Sequence, residues 1–172
     1  MSLETSRLLL REMTPEDWDD LCEILQDPEV MYAYEHAFSD EEVSDWLNRQ
    51  LSRYEEYGHR FGLYAVVLKE TGEMIGQTGL TLQECDGEQM LEVGYLFKKR
   101  YWHQGYAIEA ASACKKYAFE ILNQPEVVSI IRDNNFPSQN VAKRNGMKPV
   151  KTFVKHYYGV DMPHILYCVK RG

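Results

Sequence analysis

The apolar positions recur at helical spacing through the first 60 residues, then fall into short strand-length blocks between residues 61 and 97. Ser6-Arg7-Leu8-Leu9-Leu10-Arg11 is an apolar run flanked by charge and predicts a first strand. Thr14-Pro15-Glu16-Asp17 has the make-up of a helix start, with Thr as N-cap, Pro at the first position and acids in the first turn. Trp18, Leu21, Cys22, Ile24 and Leu25 form the apolar stripe of that helix, and Asp27-Pro28 ends it. A second helical region is predicted from Glu29 to Tyr34. Ser39 and Glu42 fit a capping box, which opens a helix with Val43, Trp46, Leu47, Leu51 and Tyr54 on its buried side and a stop near Gly58.

The period then shortens. Phe61 to Leu68 reads as a strand, Lys69-Glu70-Thr71-Gly72-Glu73 as a hairpin turn, and Met74 to Leu82 as the returning strand. Asp86-Gly87-Glu88 turns the chain again into a strand from Leu91 to Phe97. Three consecutive strands with short connections predict an antiparallel meander. A long helix follows to about Leu122, with Ala107, Ala110, Ala111, Cys114, Ala118 and Ile121 on one face. Pro125 breaks it, and Val127 to Ile131 is a short, continuously apolar strand. The intervening helix permits a parallel pair with the strand at 91–97 through a right-handed crossover. A short helix is predicted over Pro137 to Arg144 with Asn145-Gly146 as its stop. Val150 to Tyr158 and Ile165 to Lys170 read as closing strands around Gly159-Val160-Asp161. No repeat or linker divides residues 1–172, so the expectation is one mixed α/β domain.

Composition narrows the class of activity. A net charge of −8 argues against general nucleic-acid binding, which depends on neutralising phosphates, and fits either a cationic substrate or simple solubility. No apolar run approaches the roughly 20 residues of a membrane span, and the first residues lack the pattern of a secretory signal. The expected location is cytoplasmic. Cys22, Cys85, Cys114 and Cys168 share no metal-ligand or redox spacing, and Cys114 falls on the apolar face of the long helix. His36, His59, His156 and His164 likewise define no metal site.

The chemistry concentrates between residues 91 and 107, where a buried strand is followed by Lys98-Lys99-Arg100 and then by Gln104-Gly105-Tyr106-Ala107 at a helix start. Small residues let a ligand approach the backbone, and the first N–H groups of the helix have no partner inside it. Such an entry attracts anions, and the basic triplet adds full positive charge to the helix dipole.

In their order the elements and motifs resemble the GCN5-related N-acetyltransferases (GNAT), in the branch of the ribosomal-protein N-terminal acetyltransferases. The resemblance rests on Arg7-Leu8-Leu9-Leu10-Arg11, Asp27-Pro28-Glu29-Val30-Met31 and Gly72-Glu73-Met74-Ile75-Gly76. Its most specific parts are Glu92-Val93-Gly94-Tyr95, Tyr101 to Ala107 with Glu109-Ala110, and Asn135 to Ala142 ending in Asn145-Gly146-Met147. Trp102 stands where the broad family often has Gln or Arg, and Ala142 where some relatives place a catalytic Tyr. The resemblance implies direct transfer of an acetyl group from acetyl-CoA to an amine, with no covalent enzyme intermediate.

The same resemblance assigns residues. Gln104, Gly105, Tyr106 and Ala107 would present N–H groups to the pyrophosphate, supported by His103 and Arg100. Tyr95, Leu96 and Phe97 would offer main chain to the pantetheine, beside a bulge that splays the strand from its parallel neighbour. Asn135 would contact the cofactor and Ser138 would touch it or protonate the thiolate; an Asx turn and N-cap are the alternative for the pair. Glu92 is the candidate general base, with burial raising its pKa; a strand-edge carboxylate facing water, or a water relay to Glu84 or Asp86, is the alternative. Tyr32, Tyr34, Tyr157 and Tyr158 either line an acceptor cleft or pack as aromatic core. The acceptor would be a protein N-terminus or a small-molecule amine, no metal is expected, and a homodimer is a family-level expectation. A non-catalytic acyl-CoA-binding sensor or interaction module is the reading from a different class.

Overall fold

The meander predicted at residues 61–97 is the middle of an eight-stranded sheet. The computed structural model describes residues 2–157 and 160–172. In chain order the elements are β1 (Ser2–Glu4), β2 (Leu8–Arg11), α1 (Trp18–Leu25), α2 (Asp40–Glu56), β3 (Leu63–Leu68), β4 (Met74–Cys85), β5 (Glu88–Phe97), α3 (Tyr106–Glu120), β6 (Glu126–Arg132), α4 (Phe136–Arg144), β7 (Lys148–Tyr157) and β8 (Val160–Lys170). The strands lie in the order β1-β2-β3-β4-β5-β6-β8-β7. Every neighbouring pair is antiparallel except β5 and β6, the parallel pair expected from the crossover helix.

Local signals explain most boundaries. The Ser39–Glu42 capping box forms in both directions, with Glu42 N–H donating to Ser39 Oγ and Ser39 N–H to Glu42 Oε1. Two expectations fail and one short strand goes unpredicted. Residues 29–34 form turns rather than a helix: Glu29 N–H donates to Asp27 Oδ1 and Met31 N–H to Asp27 O, so Asp27 gathers the first amides after Pro28 into an Asx-type turn. Strand β1 was not anticipated, because three residues alone carry too little pattern. The bulge expected near Tyr95 is absent, since the β4–β5 register runs unbroken from Gly76↔Phe97 to Cys85↔Glu88. Tyr158 and Gly159 lie outside the described residues, as does the side chain of Tyr157.

Alternation along β4 and β5 sorts the two faces of the sheet. Gln77 faces α2, where its Oε1 accepts from Trp46 Nε1, and its cross-strand partner is Leu96. Two positions along on the same face, Gly79 opposes Gly94; a Cβ on Gly94 would meet nothing within 4 Å, so this spot stays open. The opposite face carries Val93, Tyr95 and Phe97 beneath α3 and α4 and joins the main core with Cys114, Tyr117 and Ala118. No helix among the described residues is long and apolar enough to cross a membrane.

Gln50, on the buried side of α2, is fully enclosed, and neither its amide nitrogen nor its oxygen has a protein partner among the described residues. An unmet buried amide costs about 1–3 kcal/mol. Gln50→Met keeps the length and removes the polar atoms. It is expected to raise Tm by about 2–12 °C in a thermal melt; a fall in Tm would show that the amide is satisfied in solution.

Candidate functional site

Strands β5 and β6 touch at one register position, Glu92↔Val128, and then part. Side chains bridge the gap where backbone pairing stops. Ser129 Oγ donates to Val93 O at 2.7 Å, and Ile130 N–H donates to Glu92 Oε2 at 2.7 Å. The splay is therefore held open by a serine and a carboxylate inserted between the strands, without the expected bulge. Because Val93 O points into the gap, alternation turns the N–H and C=O of Tyr95 into it as well. Phe97 O faces the same way but already accepts from Trp102 Nε1 at 2.9 Å. Leu96 directs its main chain to β4, opposite Gln77, and only its side chain reaches the cavity.

That cavity, about 570 Å³, lies between α2, the 33–38 loop and the β4–β5–β6 face. Glu92 is on its wall, half-buried. Desolvation pushes its carboxyl up to about 7, against the opposing pull of the Ile130 N–H and the charge of Lys155. Ser138, Asn135, Tyr95 and Leu96 line the same space, as does Tyr34. Tyr32 donates its hydroxyl to Asn135 Oδ1 at 2.7 Å, which ties the turn after α1 to the start of α4.

Asn135 is the N-cap of α4, where its Oδ1 also accepts from Ser138 N–H at 3.3 Å. Ser138 O accepts from the Tyr95 hydroxyl at 2.6 Å, which binds α4 to the central strand. These bonds employ the backbone of Ser138 and leave its hydroxyl uncommitted among the described residues. The capping role anticipated for this pair is real, and it coexists with a place on the cavity wall.

The entry of α3 lies at the other end of β5. Gly105 is its N-cap with φ of 81°, a left-handed conformation that glycine adopts without strain, and His103 two residues earlier has φ of 62°. The amide of Glu109 reaches Gly105 O, so those of Tyr106, Ala107 and Ile108 have no acceptor within the helix. Three free amides at a helix start form a cradle of the kind that can accept an anion. His103, Gln104 and Gly105 are exposed and Ala107 half-exposed, whereas the Tyr106 ring is buried.

The basic triplet does not supply the charge that its position suggested. Lys98 is buried with its Nζ 2.7 Å from Asp20, 3.2 Å from Glu23 and 3.3 Å from Glu73. Lys99 pairs with Glu29, and Arg100 holds Glu23 at 2.9 Å and Glu73 at 2.5 Å. These partners come from α1, the turn after it and the β3–β4 hairpin, so sequence proximity alone did not reveal them. Arg7, which carried no site role in the sequence reading, lies against the cradle instead: its Nη1 donates to Gln104 O at 3.0 Å and its guanidinium carbon is 4.2 Å from the centre of the Tyr106 ring. Among the described residues, no group of His, Cys, Asp and Glu is placed to hold a metal ion.

Comparison with known proteins agrees with this fold. The acetyltransferase (GNAT) domain family matches residues 7–148. The chain is 31% identical over 156 residues to the uncharacterized N-acetyltransferase YnaD of Bacillus subtilis, spanning 90% of this chain and 87% of that protein. It superposes on the crystal structure of a GNAT-family acetyltransferase from Bacillus anthracis with a TM-score of 0.83 at 25% identity, covering 99% and 98% of the two chains. A further superposition, with a TM-score of 0.80 at 15% identity, is with RimL, a ribosomal L7/L12 α-N-protein acetyltransferase in complex with coenzyme A; it covers 99% and 98% of the two chains and speaks to the fold alone.

Proposed function

The chain belongs to the GNAT acetyltransferase family, and from that premise we propose that it transfers an acetyl group directly from acetyl-CoA to a primary amine. The observation that carries the proposal is the position of Glu92: a carboxyl with its pKa near 7 inserted at the splay of β5 and β6, on the wall of a cavity large enough for an acceptor. A base with that affinity is about half deprotonated at neutral pH and basic enough to take a proton from an ammonium group.

Acetyl-CoA supplies the activated thioester. The chain's residues do the rest. The amides of Tyr106 and Ala107, with the Gln104–Gly105 turn and His103, receive the pyrophosphate. Arg100, its guanidinium engaged by Glu23 and Glu73, acts on the phosphates only at longer range. Tyr95 offers its N–H and C=O to the pantetheine amides in the gap, as an added strand would, flanked by Leu96 and Phe97. Asn135 holds the α4 end of the channel. Glu92 takes the proton that the amine must lose, and Ser138, through its uncommitted hydroxyl, donates to the departing thiolate.

The acceptor is a protein N-terminus or a small molecule such as an amino acid, polyamine or aminoglycoside, and the cytoplasmic location and a homodimer belong to the same proposal. Binding is tested first. Acetyl-CoA at about 100 times its Kd is expected to stabilise the folded chain by about 2.7 kcal/mol, a rise of about 5–11 °C in Tm. An unchanged melting curve at millimolar acetyl-CoA would remove the cofactor from the account.

A further inference from the structure

We propose that Arg7 sets the anion-binding turn of α3 for the cofactor's pyrophosphate, a role that rests on the cofactor reading above. Arg7 lies between β1 and β2, nearly one hundred residues before the turn, and reaches it through a compact set of contacts. Its Nη1 donates to Gln104 O at 3.0 Å, its Nε to Glu109 Oε1 at 2.8 Å and its backbone N–H to Glu109 Oε2 at 3.0 Å. Thr5 Oγ1 completes the bracket on Glu109 Oε2 at 2.5 Å. The remaining nitrogen, Nη2, is 3.3 Å from where a Cβ on Gly105 would stand.

Two consequences follow from this arrangement. A trans peptide points its N–H opposite to its C=O. Holding the Gln104 carbonyl on the Arg7 side therefore turns the Gly105 N–H the other way, alongside the free amides of the first helical turn. The second consequence is electrostatic. Glu109 in that turn suits the helix dipole of the free protein but repels an anionic ligand. Arg7 neutralises this carboxylate where it stands. Lys98, Lys99 and Arg100 cannot substitute, since each is already matched by carboxylates. Arg7 is thus a positioning residue for the phosphate cradle, supplied by the strand edge of the N-terminal segment.

The test compares wild type with Arg7→Leu, Arg7→Lys and the double variant Arg7→Leu/Glu109→Gln. Each is titrated with CoA by calorimetry and with pantetheine, the thiol arm without phosphates, by proton line broadening. Arg7→Leu is expected to raise the Kd for CoA about tenfold or more and to leave that for pantetheine within about twofold. Removing the bared carboxylate in the double variant is expected to recover about threefold of that loss. Arg7→Lys keeps the charge but cannot span both Glu109 and the Gln104 carbonyl; it is expected to weaken CoA by about threefold or more, and keeps the test available if the leucine variant does not fold. Equal weakening of both ligands, no recovery from Glu109→Gln, or an unchanged CoA affinity would each overturn the proposal. A wild-type protein that binds no CoA would instead remove the cofactor reading itself, and Arg7's role with it.

Discussion

Replacing Glu92 by glutamine is expected to lower the maximal rate of amine acetylation by about 10²–10⁴-fold while leaving CoA affinity nearly unchanged. The substitution is well matched to the structure. Glutamine keeps an oxygen for the Ile130 N–H, so the insertion that separates β5 from β6 survives. What disappears is the proton acceptor. In the wild type, activity is expected to rise as pH increases through about 7, where the Glu92 carboxyl ionises, and this limb should flatten in Glu92→Gln. Stability moves in the opposite sense. A carboxyl raised from 4.5 to about 7 binds its proton more tightly in the folded state, so its contribution is full below pH 4.5 and is lost as pH rises through 7. At pH 8 the glutamine variant should therefore be more stable than wild type, by on the order of 1–3 kcal/mol, and at pH 4 the difference should vanish. Unchanged rates with an unchanged pH profile would exclude Glu92 as the base and move the proton to a water path toward Glu84 or Asp86.

Lys98→Met should be the most damaging single substitution outside the site. The Lys98 side chain is 3% exposed and is surrounded by Asp20, Glu23 and Glu73. The methionine preserves length and packing and removes the cation, which takes the ion pair from Asp20 and leaves Glu23 and Glu73 to Arg100 alone, all around an apolar group. Breaking such a cluster costs about 3 kcal/mol, at the lower end for buried pairs because the acids reach solvent. In a chain of this size that is a fall of about 6–12 °C in Tm. The deficit should depend on pH. Partial burial pushes the Glu73 carboxyl up, but hydrogen bonds from Tyr101 and Arg100 and the charge of Lys98 outweigh it and hold the group below its ordinary value. A depressed carboxyl stabilises the fold above its unfolded pKa and loses that contribution on acidification. The gap between wild type and Lys98→Met should accordingly narrow below about pH 4.5. A Tm difference under about 2 °C at pH 7 would mean that the cluster is solvated in solution.

Lys98 also shows where a sequence stops being informative. Periodicity and caps are local, which is why the Ser39–Glu42 box, the meander and the parallel pair around the crossover helix were legible. The loop at 104–107 was legible for the same reason, since glycine, small residues and a helix start are contiguous. Charge is different, because its effect depends on what folds against it. Lys98-Lys99-Arg100 looked like the cationic support of the anion cradle and instead cements α1 to the β3–β4 hairpin. The cation in contact with the cradle, Arg7, sits at the other end of the chain, and only its place in a recurring opening motif set it apart. The same limit applies to the splay of β5 and β6: the residues that hold it, Glu92 and Ser129, act across strands, so no local bulge signal existed to be found. Residues 29–34 illustrate the converse error, in which helix-compatible residues yield to an aspartate and a proline that start a turn.

The measurement that bears most directly on the account is release of free thiol from acetyl-CoA in the presence of a panel of primary amines, amino acids, polyamines, aminoglycosides and peptides with free N-termini. Acceptor-dependent thiol release is expected with at least one amine class, abolished by acetylating the acceptor beforehand and reduced at least about a hundredfold in Glu92→Gln. Tight binding of acetyl-CoA with no acceptor-dependent release across the whole panel would contradict it, and would leave a protein that binds the cofactor without transferring its acetyl group.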